Sequence, residues 1–320
     1  MPVLSVSALD PFHLLVLRFC LQLPYVSACR VLSRLWSQRL FRAVVCPKEW
    51  RRFRQDFALL AGPPGRKSGA FQRQMQVTRL ALPRLKELSR WDGPDRPPTW
   101  LTIDGFERVW RLIAEGRKVV IVNSHYGAFQ CIPILLCRLG LRLGSIECAD
   151  IFPILKLRRP EGLTIIPTAG EFLARSALRA KRCLDSQRLL CIAADGYNGT
   201  SGFSLIFHGR RRFFASGFAE LAVECGADVI PVMAPIADTG RVRIEFLDAL
   251  DGKTSEERRQ QVDSLVRQYA LLLEERWSED PGNIFNIAKF VSLPLAGADG
   301  GNNKERRMPW PNPGATAKGL

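Results

Sequence analysis

The stretch from 118 to 130, Lys-Val-Val-Ile-Val-Asn-Ser-His-Tyr-Gly-Ala-Phe-Gln, constrains the fold of this chain more than any other. A β-branched apolar run with no polar alternation reads as a strand buried on both faces, the kind found in parallel sheets covered by helices. The run stops at a histidine, and a glycine and a new apolar pattern follow. Open α/β sheets bind ligands at the carboxyl ends of their strands. The chain has three histidines, His13, His125 and His208. Only His125 stands at such a strand-to-helix junction, which makes it the candidate general base for chemistry near neutral pH.

Around this strand the pattern alternates. A Pro/Gly-rich linker at 91–98 is followed by a helix at 106–116, the strand 118–124 and a helix at 128–139. Strands are predicted at 143–148, 163–167 and 189–194, with a helix at 171–185 before the last. Gly209 splits two apolar-aromatic runs within 204–214, as in a hairpin. A helix at 216–225 closes on Gly226. Strands at 228–236 and 242–248 and a long charged helix at 255–280 complete an α/β domain over 92–295. The Gly/Asn/Pro-rich tail, 296–320, is expected to be disordered.

Residues 1–91 differ in character. The formal net charge is +15, and this segment holds 16 Lys and Arg against four acids, Asp10, Glu49, Asp56 and Glu87. Phe12, Leu17, Phe19, Val31, Leu35, Trp36 and Phe41 interleave with Arg18, Arg30, Arg34, Arg39 and Arg42. A spanning helix needs ~20 mostly apolar residues, and Arg18 and Pro24 interrupt the best window. A basic amphipathic helical segment lying on an anionic membrane surface fits better. The competing reading is a set of helices docked on the domain with solvated arginines. No zinc-finger or RNP-like pattern points to nucleic acid. Nine scattered cysteines without C-x-x-C argue for a reducing compartment and against a disulfide framework or a metal site. No basic region precedes the first apolar run, so a cleaved signal peptide is not expected.

Two blocks carry the chemistry. The first is Asn123-Ser124-His125-Tyr126-Gly127-Ala128-Phe129-Gln130. The second runs from Ala194-Asp195-Gly196 through Gly199, Gly202 and Phe207-His208-Gly209-Arg210-Arg211-Arg212 to Gly226-Ala227-Asp228-Val229-Ile230-Pro231. Together they resemble the lysophospholipid acyltransferase superfamily, and within it the lauroyl/myristoyl (late lipid A biosynthesis) acyltransferase branch, over about residues 100–290. The resemblance implies a mixed, mainly parallel central sheet flanked by helices, as in glycerolipid acyltransferases. It implies transfer of a fatty acyl group from an acyl-carrier protein or coenzyme A thioester to a hydroxyl or amine of a lipid acceptor. It further implies no cofactor beyond that donor, and a place at the cytoplasmic face of the inner membrane, peripheral or held by a single anchor.

In that family the histidine is followed five positions on by a carboxylate; here that position is Gln130. Glutamine can accept the imidazole N–H through its oxygen but cannot offset an imidazolium charge. A weakly catalytic or non-catalytic acyl-lipid or acyl-carrier binding protein is therefore the alternative. Asp195 either contacts the acceptor, substitutes for the missing carboxylate, or forms an Asx turn before Gly196. Gly196 and its neighbouring glycines permit turns and close approach to substrate. Arg210, Arg211 and Arg212 form a cationic cluster for phosphates of donor or headgroup, or a solvated face. Arg158 and Arg159 lie where the family keeps a basic residue. The helix at 131–139 and the Phe-rich segment 203–218 are candidates for an acyl tunnel. A G-x-S-x-G elbow is absent, which disfavours an α/β hydrolase.

Overall fold

The computed structural model describes residues 16, 18–20, 22–58, 69–93, 96–148, 150–155, 157–168, 173–195, 201–252, 257–285 and 287. Residues 16 and 18–20 are helical, and after them come α1 (Tyr25–Ser37), α2 (Arg39–Val44), α3 (Pro47–Ala58), α4 (Ala70–Arg79) and α5 (Ala81–Arg90). The alternating part follows as β1 (Leu101–Asp104), α6 (Phe106–Ala114), β2 (Val119–Asn123), α7 (Cys131–Arg138), β3 (Leu143–Glu147) and α8 (Ile151–Ile154). It continues with β4 (Leu163–Pro167), α9 (Leu173–Gln187), β5 (Leu189–Ala193), β6 (Gly202–Phe207) and β7 (Arg210–Ala215). The last elements are α10 (Gly217–Cys225), β8 (Asp228–Met233), β9 (Val242–Phe246) and α11 (Arg258–Glu279).

Seven strands make one sheet in the order β1-β9-β8-β2-β5-β3-β4, while β6 and β7 form a separate antiparallel hairpin. β2 is buried at all five positions between β5 and β8, both parallel to it, as its unbroken Val-Val-Ile-Val run requires. β3 and β4 extend the parallel block. β9 turns back antiparallel to β8, and β1 pairs parallel with β9, so the sheet is mixed but mainly parallel. β1 was not foreseen. It is four residues long, set between a proline-rich linker and Gly105, and too short to show a period.

The basic N-terminal helices share one apolar core with the sheet. Tyr25, Ala28, Cys29, Leu32 and Trp36 of α1 bury one side of that helix in the cluster that contains Val119–Val122. Tyr25 Oη donates to the carbonyl of Gly240 at 2.8 Å, and Trp100 Nε1 donates to Glu87 Oε2 at 2.7 Å. Arg73 pairs with Asp280 at 2.8 Å. Trp91, in the expected linker, is itself buried. The opposite faces keep arginines 18, 30, 34, 39, 51 and 54 in solvent. Among the described residues no helix is long and apolar enough to cross a membrane. The tail 296–320 and positions 1–15, including His13, lie outside the described residues.

Candidate active site

β2 and β5 are neighbours in register Asn123↔Ala193, so the residues two places beyond each strand, His125 and Asp195, come out level. Their contact is double. The His125 backbone N–H donates to Asp195 Oδ2 at 2.6 Å, and Nδ1 lies 2.7 Å from Asp195 Oδ1. A carboxylate oxygen only accepts, so Nδ1 carries the proton and the lone pair of the neutral ring sits on Nε2. Asp195 is 0% exposed, whereas the His125 side chain retains 24% exposure. Burial works against the Asp195 charge. The nearby His125, its two hydrogen bonds and the Arg212 guanidinium outweigh that, and hold the carboxyl below the usual carboxylate range.

The turn carrying His125 is fixed from behind. Gly127 has φ +59°, and a Cβ there would stand 1.9 Å from the carbonyl oxygen of Ala234. Its N–H donates to Asn283 O at 2.7 Å, and the His125 carbonyl accepts from Phe285 N at 2.8 Å. Asn283, fully buried, holds both sides of Ile236: Oδ1 accepts from Ile236 N at 2.8 Å and Nδ2 donates to Ile236 O at 3.1 Å. Tyr269 of α11 donates to Asn123 O at 2.5 Å, capping the end of β2. Phe129 stacks obliquely on the imidazole, its ring centre 4.8 Å away.

Arg212 does not belong to an exposed cationic cluster. In the hairpin, Leu205 pairs with Arg212 and Phe207 with Arg210, and the alternation of β7 turns position 212 inward. Arg212 is 2% exposed, and its guanidinium lies 4.6 Å from the Phe214 ring centre, 4.8 Å from Phe207 and 5.4 Å from Trp277. Its Nη2 donates to the backbone carbonyl of Asp195. Burial lowers its pKa to about 10, which leaves it charged at neutral pH. Arg210 and Arg211 remain exposed, as do Arg158 and Arg159, the latter paired with Asp150. Gly196 lies outside the described residues.

A narrow cavity opens beside His125. Gln130, the residue before α7, lines it together with Phe129, Pro133 and Ile134. Ile151 and Phe152 of α8, Leu163 and Ile165 of β4, and Ile192 supply the remaining apolar wall. The Phe-rich hairpin contributes nothing to this lining; Phe207 and Phe214 surround Arg212, and Phe218 packs on Tyr269. Asn123, from the first block, lines the cavity too, as do two polar residues that sequence reasoning passed over, Ser145 and Glu147. The signal for Glu147 was the same as for His125, a polar residue closing an apolar strand. The carboxylate against the imidazole is thus Asp195, which follows a different strand, rather than position 130.

The sequence model of the bacterial lipid A biosynthesis acyltransferase family matches residues 72–278. The chain belongs to that family. It is an acyltransferase, and its reaction takes an acyl donor and a lipid acceptor. The match begins at 72, within α4, and so takes in most of α4 and all of α5. A direct comparison with curated proteins gave no match.

Proposed function

We propose that this acyltransferase moves a fatty acyl group from an acyl-carrier protein or coenzyme A thioester to a hydroxyl or amine of a lipid, with His125 as general base. The observation that carries the reading is the two-point hold of Asp195 on His125 at the mouth of an apolar cavity. The acceptor's oxygen or nitrogen attacks the thioester carbon while Nε2 takes its proton. Asp195 fixes the tautomer and orientation of the ring and balances the imidazolium that forms. The C–S bond then breaks, and the departing thiolate takes the proton from the imidazolium. The acyl chain lies along Ile134, Phe152, Leu163 and Ile165.

The alternative of a binding protein rested on glutamine at position 130. Asp195 supplies the negative charge that Gln130 lacks, which favours turnover over binding alone. Gln130 is then a polar wall of the cavity rather than a partner of the ring. Arg210, Arg211, Arg158 and Arg159 are exposed and suited to the phosphates of the donor arm or of the acceptor headgroup. The exposed Phe19, Val31, Leu40 and Val44, interleaved with arginines, support a peripheral location on an anionic membrane, which for this reaction is the cytoplasmic face of the inner membrane.

The test is acyl transfer from lauroyl-coenzyme A and from lauroyl acyl-carrier protein to an under-acylated lipid A. His125→Ala should lower kcat by about 10²–10⁴-fold, the usual contribution of a positioned base. Asp195→Asn, which keeps the shape and removes the charge, should lower it strongly with little change in KM. Equal turnover by wild type and His125→Ala sinks the mechanism.

A further inference from the structure

We propose that the groove between α2 and α3 binds the phosphate headgroup of one anionic phospholipid, at a site separate from the acyl-transfer cavity. A peripheral location needs only a general attraction to a charged bilayer; a site that holds a single headgroup goes beyond it.

The helical period of α3 supplies the site. Pro47, Trp50, Arg51, Arg54, Gln55 and Ala58 recur at spacings of three and four and form one stripe along the helix. A different face does the packing: Phe53 and Phe57 are buried, and Phe53 lies 5.4 Å from the ring of Phe71 on α4. Ala43 of α2 closes the groove from the other side. The space between the two helices is ≈ 480 Å³, the size of a small-ligand site.

Its chemistry suits an anion that carries apolar groups. The lining holds two arginines and no carboxylate. The two acids of α3 are engaged elsewhere, Asp56 with Arg52 at 3.6 Å and Glu49 with the charge of Arg79 on α4. Among the described residues Arg51 and Arg54 pair with no acid. They stand one turn apart, and each offers a planar fork of donors to a phosphate. The half-buried Trp50 carries the Arg42 guanidinium 4.4 Å from its ring centre. Tryptophan, apolar in body and polar at its N–H, is favoured at the headgroup level of membranes. Ala43, Pro47 and Ala58 leave apolar room for a glycerol backbone and the first methylenes of its chains. A free phosphate would leave those walls in water, so the lipid is the better occupant.

Position points the same way. On α2, Leu40 and Val44 lie one turn before Ala43 and directly after it, and they are 75% and 64% exposed. Side chains fit to enter a bilayer thus border the groove and set its arginines at headgroup depth. The groove is also tied to the catalytic turn. Trp50 meets Phe71 edge-on at 5.1 Å, and a Cβ on Gly282 would stand 2.8 Å from the backbone of Ala70. Gly282 adjoins Asn283, which accepts from Gly127 beside His125. A headgroup held in the groove therefore fixes how the active site is presented to the membrane, which attraction to scattered arginines does not.

The test uses the full-length protein and dihexanoyl phosphatidylglycerol below its micelle concentration, with binding followed by titration calorimetry. One lipid should bind per chain, saturably. Arg51→Gln with Arg54→Gln should weaken binding about tenfold or more. Lys48→Gln with Arg52→Gln removes the same charge from the same helix outside the groove, and should change affinity less than about twofold. Ala43→Trp keeps every charge and fills the groove; it should block the lipid while the melting temperature stays near wild type. Equal losses from the two charge pairs, or full binding by Ala43→Trp, would overturn the site in favour of diffuse attraction. Inorganic phosphate or dihexanoyl phosphatidylcholine bound as tightly as the phosphatidylglycerol would overturn the choice of an anionic lipid. Acyl-carrier protein that needs Arg51 and Arg54 where the lipid does not bind would assign the groove to an acidic protein and overturn it too. The measurement requires no turnover, so an inactive enzyme leaves its outcome standing. Vesicle binding without saturable lipid binding defeats this site and leaves the peripheral location intact.

Discussion

At the scale of single residues, Arg212 and Asp195 form a pair in which burial makes each dependent on the other. Arg212 touches no substrate-facing surface; it acts through Asp195, whose carbonyl it holds and whose charge it favours. Arg212→Met keeps the aromatic surroundings packed but leaves that carbonyl without its donor. Losing one partner of a buried charged interaction costs about 3 kcal/mol, which urea unfolding would register. kcat should fall while KM for the donor stays close to wild type, because the effect passes through Asp195. A rise in KM with unchanged kcat would instead place Arg212 in substrate binding. The depressed carboxyl of Asp195 also has a pH signature. A group whose folded pKa lies below its unfolded value stabilises the fold above the unfolded value, ~3.9 for Asp. That contribution fades as pH falls through the folded pKa. The stability difference between wild type and Asp195→Asn should therefore be flat from neutral pH down to about 4 and shrink below it. An equal difference at pH 3 and pH 7 would mean that ionisation of Asp195 does not support the fold.

At the scale of elements, the site is made by strand ends that a glycine turn and an asparagine clamp hold in register. Gly127→Ala puts a side chain at positive φ and against the Ala234 carbonyl. It should destabilise the protein by about 2 kcal/mol or more and reduce kcat by moving His125 off Asp195; a variant with unchanged melting and activity would show that the turn tolerates the shift. The end of β2 was readable because a β-branched run stopped at a histidine, and Asp195 stood out at the end of β5 for the same reason. That the two strands are neighbours was not readable, since β3 and β4 intervene in sequence and only the crossover brings β5 beside β2. The burial of Arg212 was hidden differently. Three consecutive arginines look solvated, but a hairpin alternates its faces, and the covering groups Phe214 and Trp277 come from the same buried face of β7 and from a helix some sixty positions later. The Phe-rich run looked like a tunnel wall because aromatic content says how much is buried, not against what.

At the scale of the whole molecule, the charge excess and the exposed apolar side chains coincide on the N-terminal helices, and this coincidence predicts membrane binding in two separable parts. Leu40 and Val44 are one turn apart on α2, 75% and 64% exposed, with Arg39 in solvent beside them. Removal of residues 1–91 is a poor test, because α1, α4 and α5 fill the same core as β2 and their loss would unfold the domain. Surface substitution avoids this. Vesicles containing anionic phospholipid should bind the full-length protein, and raising salt should weaken binding as the arginines are screened over ~10 Å or less. The remainder that survives high salt is the apolar insertion, where burying a side chain such as leucine contributes ~1.5–3 kcal/mol. Leu40→Glu with Val44→Glu should therefore remove most of the salt-resistant binding while leaving the melting temperature near wild type. Replacing Arg30, Arg34 and Arg39 by Gln should instead remove most of the salt-sensitive part. If neither set of substitutions changes vesicle binding, these helices serve only to pack against the sheet, and another surface must bring the enzyme to its lipid.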